Sequence, residues 1–116
     1  MDTLDSAPPV AGVLTRLFDE AATADGALMA QIADEWGGDG DPVAELLARE
    51  ATDYRGLYHD FADNFLNVSA EFGQFLYVCA RARQATNVVE FGTSFGVSTI
   101  HLAAALRDNG GGRLVG

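Results

Sequence analysis

The chain has 116 residues, 48% of them hydrophobic, and a formal net charge of −10, with seven arginines and no lysine against 17 acidic residues. That length fits one small domain or part of a larger one, and the apolar share suffices for a buried core. Such an acidic surface repels phosphate backbones, which argues against nucleic-acid binding as a main role.

Ser6 to Pro9 read as a helix start, with Ser6 as the cap and prolines where helix N–H groups lack partners anyway. Apolar residues then recur at Val10, Leu14, Leu17, Ala21, Ala24, Leu28, Ile32 and Trp36, one stripe of a long helix. Asp25-Gly26 is the place where that helix is expected to break or kink. Gly37 to Pro42 form a loop, with Asp41 capping the next helix and Pro42 at its first position. The acidic residues Asp34, Glu35, Asp39, Asp41 and Glu45 invite a calcium-loop reading. Pro42 and the apolar pair Leu46-Leu47 occupy the middle of any such loop, so a solvated turn is expected instead.

A short amphipathic helix is predicted over Asp41–Ala51, and a further helical stretch runs to about Phe65 through Leu57 and Phe61. Ser69 caps the next helix, whose predicted core stripe is Phe72, Phe75, Leu76 and Cys79. Cys79 is the single cysteine, expected in the core; one thiol makes neither an internal disulfide nor a cysteine-based metal site, and a cytoplasmic location fits. No apolar run approaches the roughly 18 residues that cross a bilayer, and two Asp precede any basic residue at the N-terminus, the wrong charge for a signal peptide. Asn87 to Gly92 read as a buried strand, Val97 onward as a helix closed by Gly110, and Arg113 to Gly116 as the start of a second strand. Strand, glycine turn, helix and strand make one βαβ unit with parallel strands. His59 and His101 lack partners at catalytic or metal spacing and read as ordinary surface or core histidines.

The stretch VVEFGTSFGVST, Val88 to Thr99, carries the chemistry. At the end of a parallel strand the chain turns sharply into a helix; a side chain at Gly92 would keep a ligand from the backbone, and Gly96 lets the helix pack against the strand. The helix N-terminus offers N–H groups to an anion, and Ser98 and Thr99 add hydroxyl donors. A dinucleotide site expects G-x-G-x-x-G, whereas Ser94 stands where its middle glycine belongs; a phosphate-binding P-loop needs a lysine that the chain lacks. Glu90 would repel a pyrophosphate and suits a cationic group. S-adenosylmethionine combines an ammonium and a sulfonium with a carboxylate for the helix N-terminus.

This stretch resembles the first motif of class I S-adenosylmethionine-dependent methyltransferases, most nearly the O-methyltransferase group that includes the catechol and caffeoyl-CoA enzymes, whose motif runs E-x-G-T-x-x-G-x-S. A second piece agrees: that group places a Val just before a helix carrying Gly-Gln, as Val68 and Gly73-Gln74 do here. The resemblance covers about residues 67–116. With the helices read over 1–66 as an N-terminal helical region, the expected architecture is α/β, and the resemblance implies that 67–116 is the first βαβ unit of a Rossmann-like methyltransferase fold, truncated. It also implies that Val68 touches the cofactor, that Glu90 and the Gly92-Thr93 backbone line its methionine end, that Ser98 bonds its carboxylate, and that Ser94 and Gly96 belong to the same cofactor-binding set.

The expected activity is transfer of a methyl group from S-adenosylmethionine to an oxygen of a small-molecule acceptor. In the resembled group the ribose carboxylate, any divalent-metal ligands and the catalytic residues lie beyond the second strand. The chain therefore reads as the front piece of an enzyme, inactive alone, with no metal ligands in view and catalytic residues unknown. Its uncovered strand edges lead to an expectation of homo-oligomers, with neither nucleic acid nor membrane as partner. Two other readings stay open. One is a helical interaction module using the Val10–Trp36 stripe; the other is a nicotinamide-dinucleotide unit, disfavoured by Ser94 and Glu90.

Overall fold

A computed structural model describes residues 8–116, apart from the side chains of Pro8 and Trp36. The expected Ser6 cap and the Trp36 side chain therefore lie outside the described residues. Six elements follow in order: α1 Pro8–Trp36, α2 Pro42–Asp60, α3 Ala70–Ala82, β1 Asn87–Val89, α4 Val97–Asp108 and β2 Arg113–Val115. The class is mixed α/β, mostly helical, with two short parallel strands. The chain divides into two compact units: Ala21–Leu66, and the part of α1 up to Glu20 together with Asn67–Gly116. α1 contributes to both units.

In α1 the predicted stripe is the buried one. Leu14, Leu17 and Ala21 are buried, and Val10, Ala24, Leu28 and Ile32 are half-buried. The helix runs unbroken through Asp25-Gly26, contrary to the expected break.

Asp25 is buried in the unit Ala21–Leu66, and its carboxylate accepts from the Phe65 amide at 2.9 Å, the Leu66 amide at 2.9 Å and the Asn64 side chain at 3.1 Å. This explains a second difference. α2 ends at Asp60, not near Phe65, because the last amides of the segment are bound by Asp25 and Leu66 takes φ +46°. The start of α2 is as expected, with Asp41 Oδ1 accepting from the Ala44 amide at 3.0 Å and Pro42 at the first position. The two predicted helical stretches join in one element with a non-helical residue at Asp53, whose Oδ1 accepts from the Gly56 amide at 3.0 Å and so caps the second stretch.

In the other unit, Ser69 caps α3 by accepting from the Phe72 amide at 3.2 Å. The buried face of α3 is Gly73, Tyr77 and Ala80, not the predicted Phe72–Cys79 stripe. Phe72, Phe75 and Cys79 are exposed. One residue of offset turns a helix by about 100°. The cause lies in α4, whose small side chains Ala104 and Ala105 leave room for the Tyr77 ring to pack beside Ala80. The Tyr77 hydroxyl reaches past them to donate to Asp108 Oδ2 at 2.8 Å.

β1 and β2 pair in parallel, Asn87 with Arg113, Val88 with Leu114 and Val89 with Val115, and α4 forms the crossover. Backbone bonds from Arg113 to Thr86 and from Glu90 to Val115, both 2.8 Å, extend the ladder. The buried-strand expectation fails. Only the middle residues Val88 and Leu114 are half-buried, while Val89 is 70% and Phe91 95% exposed. Side chains alternate across a strand, so in a two-stranded sheet with one covered face every second residue meets solvent. Asn109 closes the far corner: its side-chain amide donates to Ala80 O at 3.1 Å and Ala85 O at 2.9 Å, and its oxygen accepts from Arg81 at 3.0 Å.

Candidate functional site

The site is the turn from β1 into α4, residues 90–99. It begins where the ladder ends, with the Glu90 amide bound to Val115. The chain then reverses through three left-handed residues: Gly92 at φ +79°, Ser94 at +47° and Gly96 at +87°. The glycines take this conformation without steric penalty. Gly96 is the residue before the first turn of α4, and having no side chain it makes no capping bond. The Gly96 amide donates to Thr93 O at 2.9 Å, which closes the turn. The result is an uncapped helix N-terminus beside a strand end, an arrangement that favours negative charge.

The carboxylate of Glu90 lies against this helix start. Its Oε1 accepts from the Ser98 hydroxyl and its Oε2 from the Thr99 hydroxyl, each at 2.5 Å. No described arginine or histidine forms an ion pair with Glu90. Thr93 and Glu90 both reach the end of β2: a Cβ added to Gly116 would overlap the Thr93 hydroxyl and stand 3.3 Å from Glu90 Oε2. The Thr93 Oγ1 is buried with no hydrogen-bond partner among the described residues. An unsatisfied buried hydroxyl costs about 1–3 kcal/mol, so this atom is primed to accept a partner.

Of the predicted site residues, Glu90, Gly92, Thr93, Ser94, Gly96 and Ser98 share this turn. Gly92 and Ser94 are exposed, and the other four are half-buried. Ser98, expected to serve a ligand carboxylate, is instead directed at Glu90. Val68 is half-buried one residue before the Ser69 cap, its carbonyl accepting from Asn67 at 2.8 Å, and no described hydrogen bond ties it to the turn. The predicted set omits Thr99, whose only signal in the sequence is a second hydroxyl in the first turn of α4.

Elsewhere, one concavity of about 550 Å³ lies in the unit Ala21–Leu66, among Leu28, Ile32, Leu46, Leu57 and Phe61. Another of about 550 Å³ lies beside Cys79, Arg83, Val88 and Leu102. Neither includes the Glu90 turn, which is an open corner. Among the described residues no three His, Cys, Asp or Glu side chains gather as a metal site, and no helix is long and apolar enough to cross a membrane. Compared with known proteins, the chain matches no family model, no curated protein and no solved structure.

Proposed function

We propose that the turn from Glu90 to Thr99 holds the amino-acid tail of S-adenosylmethionine, and that the chain is the cofactor-binding front part of a methyltransferase acting on an oxygen of a small molecule. One observation carries this reading: a carboxylate with no cationic partner among the described residues stands beside an uncapped helix N-terminus, across a turn opened by left-handed glycines. A zwitterionic amino acid offers a charge to each, its ammonium toward Glu90 and its carboxylate toward the α4 amides. S-adenosylmethionine supplies an activated methyl group when bound; the residues here bind and orient it, which is the larger part of what an in-line displacement requires.

Titration calorimetry of the full-length protein with S-adenosylmethionine and S-adenosylhomocysteine tests the assignment. Binding that is lost in Glu90→Ala and in Gly96→Val supports it. Absence of binding in the wild type, or unchanged affinity in both variants, rejects it. The same reading extends to self-association through the open edges of the β1–β2 pair, beside the exposed Val89 and Phe91. A monomer by size-exclusion chromatography at micromolar concentration would count against that extension.

A further inference from the structure

We infer that Thr99 is a positioning residue that, with Ser98, aims the Glu90 carboxylate at the ammonium of the bound amino-acid tail; this rests on the methyltransferase reading. A glutamate on an open turn has several side-chain torsions to lose before it can bind anything. Here that loss is met before a ligand arrives. Ser98 holds Oε1 and Thr99 holds Oε2, two hydroxyls from consecutive residues of one helical turn. They fix the carboxylate plane and occupy one acceptor direction on each oxygen. A carboxylate accepts about four hydrogen bonds, so acceptor capacity remains on both oxygens for a cation.

Thr99 suits this task better than a flexible donor. Its β-branch restricts χ1, and in a helix the alternative for its hydroxyl is to fold back on a carbonyl one turn earlier. The hydroxyl engages Glu90 instead. Ser98 is thereby reassigned from the ligand to Glu90, which leaves the ligand carboxylate to the backbone amides of the α4 start.

The test pairs two ligands that differ only by the tail. S-adenosylhomocysteine carries the ammonium and carboxylate, whereas 5′-methylthioadenosine keeps the nucleoside sulfide and lacks both. In Thr99→Val the affinity for S-adenosylhomocysteine is expected to fall about tenfold, the scale of one charge-assisted hydrogen bond, with 5′-methylthioadenosine changed less than about twofold. Thr99→Ser is expected to restore the wild-type ratio. An equal loss for both ligands, or no loss for either, overturns the inference while leaving the methyltransferase reading intact. If the wild type binds neither ligand, the methyltransferase reading fails, and the aim at an ammonium fails with it. The positioning is then judged alone from crystal structures of the wild type and Thr99→Val: Glu90 leaving its place in the variant supports it, and Glu90 unmoved overturns it.

Discussion

Gly73 of α3 faces the imidazole of His101 in α4 so closely that a Cβ added to it would stand 2.5 Å from Cε1 and 2.6 Å from Nε2. His101 is 2% exposed and cannot yield freely, because its Nδ1 lies 2.8 Å from Val97 O. A carbonyl only accepts, so the ring donates from Nδ1. Gly73→Ala is expected to destabilise the protein by about 1–3 kcal/mol through overpacking. Removing the ring relieves the clash, so the double variant with His101→Ala should lose less than the sum of the single losses. Thermal melts of the four proteins of this cycle decide it; strict additivity would show that the two side chains do not compete for space.

Asp25→Ala leaves the Phe65 and Leu66 amides without their acceptor and is expected to cost about 1–3 kcal/mol. Asp25→Asn should recover only part of this, because one of its two side-chain atoms is now a donor facing a donor. Urea denaturation measures both; a loss below about 0.5 kcal/mol for the alanine variant, the level of an ordinary surface change, would refute the role given to Asp25.

The same substitution at two glycines should act in opposite directions. Gly96 sits at φ +87°, so Gly96→Ala is expected to cost about 1–2 kcal/mol. Gly26 lies inside α1 with nothing within 4 Å of an added Cβ, so Gly26→Ala should stabilise by about 0.5–1 kcal/mol. Melting temperatures moving in the same direction would contradict this contrast.

Arg49 beside Asp60 holds that carboxyl below the ordinary carboxylate range, first by hydrogen bonding and then by charge. A folded-state value below the unfolded one contributes stability above the unfolded value, and the contribution is lost as pH falls through the folded one. The pair is exposed, so its effect is small and screened by salt. In Arg49→Met the Asp60 midpoint, followed by carboxyl NMR, should rise toward the ordinary range. A midpoint that stays put would assign the depression to some other group.

What the sequence disclosed depended on whether a local rule sufficed. Asp41-Pro42 and Ser69 cap their helices as cap chemistry dictates, and the α1 stripe buries the residues its spacing picks out. Gly92 and Gly96 take the left-handed conformations that only a turn requires. Failures came where a distant partner decided. The face of α3 is set by the alanines of α4 and by the ring of His101, neither visible from α3 itself, so Cys79, expected in the core, is exposed. The end of α2 was set by Asp25, about 40 positions earlier in the chain. In the candidate site the carboxylate and glycines were legible from their spacing, but the direction of the Ser98 and Thr99 hydroxyls was not, because a hydroxyl rotor carries no sequence signature.

Asn109 gives the corner where α3, α4 and β1 converge a property unusual for so acidic a chain. The latch it forms on Ala80 and Ala85 uses an uncharged amide against two carbonyls. Nothing in those two bonds titrates in ordinary buffers, and dissolved ions barely weaken them. Acid or brine that loosens the exposed charge pairs elsewhere should leave this hinge point fastened.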